Sequence, residues 1–150
     1  MRLRAMAKIN LGLDVVRKRE DGYHDVRMVM QTIRMYDFLE ITPKKSKGIF
    51  LTTNLPYVPV DERNLVYKAA KLLMDEFHVD DGVRIQLQKF IPVAAGMAGG
   101  SSDAAATLVG INRIFHLGLT PEELMRRGVA IGADVPYCIL RGTALAEGIG

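Results

Sequence analysis

From Ala7 to Val15 apolar and polar residues alternate without a break, with Ile9, Leu11, Leu13 and Val15 on one side and Lys8, Asn10, Gly12 and Asp14 on the other. A period of two marks a strand with one buried face, so Lys8 and Asn10 are expected to point the same way. RKREDGYHD then carries a turn signal at Asp21 and Gly22, and VRMVMQTIRM resumes as a second strand, which predicts a hairpin-like start. FLEIT and IFLTT read as two short strands around a lysine-rich loop. NLPYVPVDER, with its two prolines, reads as a rigid irregular connection.

The period then changes. Leu65, Ala69, Leu72, Leu73 and Phe77 recur at helical spacing between Asn64 and His78. VRIQLQKFI, residues 83–91, alternates again and leads through a glycine-rich loop into a helix whose inner stripe is Ala104, Leu108, Ile111 and Phe115. In TPEELMRRGVAIG, Thr120 is placed as N-cap, Pro121 as the first helical residue, Glu123 as the closing member of a capping box and Gly132 as C-cap. Asp134 then falls just past that helix. YCIL and TALAEGIG read as the closing strands, and no internal repeat is visible.

A chain of 150 residues, 49% hydrophobic and 25% charged, is large enough to bury a core and is expected to form one domain. The net charge is only +3 and the basic residues are dispersed, which argues against nucleic acid as a partner; KKSK at 44–47 reads as a solvated loop. Lys8, Asn10 and Asp14 interrupt the first apolar stretch, so it reads as neither a membrane span nor a signal core. One cysteine, Cys138, forms no intrachain disulfide, and a reducing cytoplasm is the expected location. His24, His78 and His116 lack metal-ligand spacing.

The densest candidate chemistry lies in IPVAAGMAGGSSDAAATL, residues 91–108. A helix N-terminus offers unpaired N–H groups and a partial positive charge, and glycines at 96, 99 and 100 let an anion approach them. Ser101 and Ser102 add hydroxyls, and Lys89 is placed to reach the same pocket from the strand end. The alternative is a tight strand-to-helix turn in which Ser101 is only a cap. Neither G-x-x-x-x-G-K-[ST] nor G-x-G-x-x-G occurs in the chain.

PVAAGMAGGSSDAA resembles the phosphate-binding motif of the GHMP small-molecule kinases. AKINL at 7–11, DGYH at 21–24 and GADVP at 132–136 narrow the resemblance, which runs from Ala7 to Gly150, to members whose acceptor carries a cytidine diphosphate. The fold implied is α/β of the α+β type, a mixed β-sheet with packed helices over residues 1–150. The activity implied is ATP-dependent phosphorylation of the 2-hydroxyl of 4-diphosphocytidyl-2-C-methyl-D-erythritol, in the non-mevalonate route to isoprenoids, with Mg2+ escorting ATP. Lys8 and Asp134 are the implied catalytic pair. Pro92, Val93, Ala94, Ala95, Gly96, Met97, Ala98, Gly99, Gly100, Ser101 and Ser102 are the implied phosphate cradle, joined by Lys89 and Asn64 at the nucleotide. Asn10, Tyr23 and His24 are the implied acceptor contacts, with Tyr23 stacking on the cytosine. The resemblance assigns no metal ligand.

Two other readings stay open: a GHMP kinase for a different small alcohol, such as homoserine or a mevalonate derivative, and a noncatalytic nucleotide-binding fragment. Members of the family continue into a second domain that closes the substrate cleft. This chain is expected to lack that domain and to self-associate through the face left open. Ala95 and Ala98 stand where some relatives carry glycine, and alanine fits there if the backbone keeps ordinary angles.

Overall fold

A computed structural model describes residues 1–20, 22 and 24–149. The elements are β1 (Arg2–Lys18), β2 (His24–Lys44), β3 (Ile49–Thr53), α1 (Leu65–Glu76), β4 (Gly82–Gln88), α2 (Gly99–Ile114), α3 (Pro121–Gly128), α4 (Val135–Leu140) and β5 (Thr143–Ile149). The sheet is mixed, as expected: β1 pairs with β2, β2 with β4 and β2 with β5 in antiparallel fashion, while β3 and β4 run parallel.

FLEIT is not a strand of its own. It continues β2, which runs for 21 residues along β1 on one edge and changes partner on the other. There, residues 25–31 pair with β5 and residues 38–44 with β4. Between the two, β2 has no strand on that edge, and this is where the chain enters from Gly142 and from Lys89 onward. Opposite the same stretch Met6 pairs with Tyr36 but Lys8 with Thr32, so β2 carries extra residues there and the ladder is bulged.

The core lies between the sheet and the helices. Leu39 and Ile41 of β2, with Val83, Ile85 and Leu87 of β4, meet Val66, Ala69, Ala70 and Leu73 of α1 and Leu108 and Ile111 of α2. The period-two face of β4 is buried as its pattern predicts. α2 is buried on most sides from Ser102 to Leu108, because three successive alanines let α1, α4 and the sheet approach it closely. Gly110 has the same purpose: a Cβ there would stand 2.5 Å from Ile41 Cδ1 and 2.8 Å from Leu3 Cδ1.

Three expectations are corrected. Ile9, Leu11, Leu13 and Val15 are exposed rather than buried, since the outer half of the β1–β2 hairpin extends past the helices. YCIL is the body of α4, not a strand, with Pro136 in its first turn. The helix from Pro121 ends at Gly128, and Gly132 lies beyond a further turn in which its N–H reaches the Gly128 carbonyl. The Thr120 capping box forms as predicted.

Candidate functional site

The strand-to-helix loop between β4 and α2 is built by alternation of backbone handedness. Ala94, Gly96 and Ala98 have φ of 60°, 71° and 54°, while no other residue from 92 to 98 has positive φ. Left-handed residues that alternate with right-handed ones turn successive N–H groups toward one side, a concavity that suits anions, and positive φ at every second residue is compatible with that geometry. Ala98 thus departs from the ordinary angles that would make alanine an easy fit, whereas Ala95 keeps them. Ala98 is also the N-cap of α2 and supplies no side-chain cap, so Ser101 is not the cap and the first-turn N–H groups face outward unmet by a side chain.

Two contacts dock this loop on β1. The Lys8 N–H donates to the Met97 carbonyl at 3.1 Å, and Ser102 Oγ donates to the Met6 carbonyl at 2.6 Å. β1 is the edge strand of the sheet, and its outer edge is open to both contacts. Ser102 therefore faces β1, while Pro92 through Ser101 line a cavity of about 730 Å3 together with Lys8, Asn10, Asn64, Lys89 and Asp134.

Lys8 and Asp134 come together across that cavity, with Lys8 Nζ 3.9 Å from Asp134 Oδ2. Asp134 occupies the N-cap position of α4 yet makes no capping hydrogen bond, which leaves its carboxylate free to face the lysine. Tyr137 holds α4 in place: its hydroxyl donates to the Gly142 carbonyl at 2.7 Å and lies 3.1 Å from Thr32 Oγ1 on β2. Lys8 Nζ also donates to Asn10 Oδ1 at 3.1 Å, so the shared facing of these two residues holds. Cys138, next to this pair, is buried and its thiol is pushed up to about 12 by burial, which removes it as a nucleophile.

Other predicted residues have different placements. Asn64 caps α1 through Val66 N–H and donates to the Pro59 carbonyl, with its side chain at the cavity wall. His24 begins β2, six residues from Met30, the partner of Asn10, hence roughly 20 Å along the strand. His24 does not line the cavity, and Tyr23 lies outside the described residues.

Lys89 is not a free cation in the pocket. Its ammonium is buried against Asp37 of β2 and Asp103 of α2, donating to both. Asp37 Oδ1 in turn accepts Phe90 N–H at 2.5 Å and Ile91 N–H at 2.8 Å, taking over where the ladder to β4 stops. Burial works to lower the Lys89 pKa, but the two carboxylates outweigh it and hold the group above its ordinary value. Asp103 is pushed up to about 8, first by burial and also by the neighbouring Asp37, against the opposing pull of Lys89.

Asp37 and Asp103 were absent from the sequence-based site. A signal existed for Asp37, which shares the period-two face of Leu39 and Ile41 and stands across the β2–β4 register from Lys89. Tyr57, Val58, Pro59 and Leu65 form an apolar wall that read only as a proline-bearing connection. Among the described residues there is no cluster of three or more His, Cys, Asp or Glu side chains able to hold a metal, and no helix is long and apolar enough to cross a membrane.

The chain is 60% identical over all 150 residues to 4-diphosphocytidyl-2-C-methyl-D-erythritol kinase of Lachnospira eligens, covering 52% of that relative. It is 55% identical to the enzyme of the same name from Clostridium perfringens, again covering 52%. The chain thus spans about half the length of the curated relatives it matches. A crystal structure of 4-(cytidine 5'-diphospho)-2C-methyl-D-erythritol kinase superposes over the whole chain and 53% of its own, with a TM-score of 0.88 and 38% identity. Mevalonate kinase of Methanococcus jannaschii shares the fold alone, with a TM-score of 0.76 at 17% identity. The GHMP kinases N terminal domain matches residues 64–142, more than half of the chain and the span that holds both the phosphate-type loop and Asp134, and the chain belongs to the GHMP kinase family.

Proposed function

We propose that this chain carries the nucleotide-binding loop and the acceptor-activating pair of an ATP-dependent kinase that phosphorylates the 2-hydroxyl of 4-diphosphocytidyl-2-C-methyl-D-erythritol. The observation that carries the reading is the Lys8–Asp134 pair, 3.9 Å apart, on the wall of a cavity whose other wall is an uncapped helix N-terminus. The names of the relatives supply the acceptor.

In this reading the nucleotide phosphates lie on the N–H groups of residues 94–101, and the flat base lies against the apolar wall of Tyr57, Val58, Pro59 and Leu65. Mg2+ held by the nucleotide's own phosphates would screen their charge. The acceptor oxygen bonds to the γ-phosphorus, the bond from that phosphorus to the β–γ bridging oxygen breaks, and the hydroxyl proton passes to the Asp134 carboxylate. Lys8 stands beside the carboxylate and offsets negative charge on the transferring group. The same proximity makes the aspartate a weaker base, so orientation of the hydroxyl contributes alongside proton acceptance. Asn10 and, at the start of β2, His24 meet the acceptor, and Tyr23 is assigned to the cytosine together with His24.

A single-turnover assay with ATP, Mg2+ and the cytidine acceptor tests this. Asp134→Asn is expected to slow transfer by about 10² to 10⁴ while leaving ATP binding intact. Tyr23→Ala and His24→Ala are expected to raise KM for the acceptor and not for ATP. Equal effects on both substrates would move the cytosine elsewhere, and ATP binding with no transfer would favour a noncatalytic nucleotide-binding role.

A further inference from the structure

Lys89, Asp37 and Asp103 form a buried cluster of one ammonium and two carboxyl groups directly beneath the first turn of α2. How near it lies is set by Gly99, where a Cβ would stand only 3.1 Å from Lys89 Nζ. The three groups are not equivalent. Asp37 accepts from the Lys89 ammonium and from two backbone N–H groups, so both of its oxygens meet donors. Asp103 receives Lys89 on Oδ2 alone, and its Oδ1 is buried without any hydrogen-bond partner. A buried ionised oxygen with no donor is costly, and neutralising it removes most of that cost.

We propose that Asp103 holds a proton on its unpartnered oxygen when the phosphate cradle is occupied, and that nucleotide binding takes up this proton from water wherever the empty site has lost it. The proposal rests on the nucleotide-binding reading of the loop and makes Asp103 a positioning residue that acts through Lys89 and the α2 backbone.

The charge balance decides between the two states. The N-terminus of a helix carries roughly half a positive elementary charge. With both carboxyl groups ionised the cluster beneath it has a net charge of −1, which outweighs the helix and sets a negative potential where phosphates must sit. With Asp103 neutral the cluster sums to zero and the positive end of α2 is uncovered. The buried position leaves little water to screen the difference.

The groups facing Asp103 from each neighbouring element limit what else can titrate. Lys89 follows β4 and is held above its ordinary value, so it stays charged. Cys138 on α4 is pushed up to about 12 and stays neutral. Asp37 is on β2. Lys8 on β1, Arg63 ahead of α1, and Asp134 line the same cavity, and α1 itself brings only the apolar Leu65 to that wall. Asp103 itself, pushed up to about 8, is the group poised to change charge between pH 7 and 9.

Titration of ADP into the chain provides the test, because its phosphates are fully ionised above about pH 7.5. Calorimetry at pH 9 in two buffers of different ionisation enthalpy should show uptake of about 0.9 proton per ADP, and the Kd should rise about eightfold from pH 7.5 to pH 9. Asp103→Asn keeps an oxygen for Lys89 and carries no charge, so it should bind with no proton uptake attributable to the carboxyl and with a flatter pH profile. Proton uptake that persists in D103N, or a parent Kd that is unchanged to pH 9, overturns the proposal while leaving nucleotide binding in place. Absence of ADP binding at every pH removes the nucleotide reading and the proposal together. Should D103N not fold, the carbonyl carbon resonance of Asp103 in the parent decides: a midpoint near about 8 that rises with ADP supports the inference, and a midpoint below about 5 overturns it.

Discussion

At the scale of single residues, Asp103 has a consequence for stability that does not involve ligand. Its folded-state pKa, about 8, lies above the ordinary 3.8, so between those values the folded chain holds a proton that the unfolded chain has released. Such a group contributes its full stabilisation below about pH 4 and loses it as the pH rises through about 8. The expected outcome is that D103N, which has no proton to lose, gains stability relative to the parent from pH 4 to pH 8, with a difference that levels off above pH 8. Urea unfolding at pH 5, 7 and 9 checks it.

Residue roles were unevenly legible. Lys8 and Asn10 could be placed on one side of a strand by alternation, but their meeting with Asp134 depends on where α4 packs, which local pattern does not encode. Lys89 was visible as a cation at the strand end. Its two carboxylate partners lie 52 and 14 residues away, and nothing local encodes that separation.

At the scale of elements, the misread segments share a cause. YCIL is four apolar residues long, and a run that short has no period by which helix and strand can be told apart; the proline ahead of it was the better signal. FLEIT fused with the strand before it because the intervening Tyr36 and Asp37 keep extended geometry beyond the widened ladder. The long amphipathic helix α1 and the capping box of α3 were legible because each states its structure within a few residues.

Glycines in these elements separate into two kinds of close approach. At Gly82 a Cβ would lie 1.9 Å from the Ser46 carbonyl oxygen, a backbone atom that cannot move aside. At Gly110 the nearest atoms are the ends of flexible side chains, and alanine gains about 1 kcal/mol of helix propensity to set against the crowding. Gly82→Ala is therefore expected to destabilise by about 2 to 3 kcal/mol or more, and Gly110→Ala to stay within about 1 kcal/mol of the parent. Thermal unfolding of the two variants gives the comparison.

At the scale of the whole molecule, the alternation in β1 was genuine and its interpretation was not. Leu11, Leu13 and Val15 are 62%, 52% and 59% exposed, because among the described residues no helix reaches that end of the hairpin. A period of two reveals that a face differs from its reverse, not what covers it. Val16 of the same strand and Leu145 of β5 are exposed as well. The double variant Leu11→Lys, Leu13→Lys is expected to leave unfolding within about 0.5 kcal/mol of the parent, since it removes no buried contact.

The widened stretch of β2 opposite Ala7 brings a constraint of a different kind. Residues 33–35 act as a spacer: their number lets Thr32 and Tyr36 hold their partners while the Lys8 amide turns to Met97. Exchanging Ile33 for another apolar residue leaves that count intact. Removing two residues there would leave one residue between Thr32 and Tyr36, matching the single Ala7 between Met6 and Lys8, and would make the ladder regular. In this part of the chain, what must be preserved is arithmetic rather than chemistry.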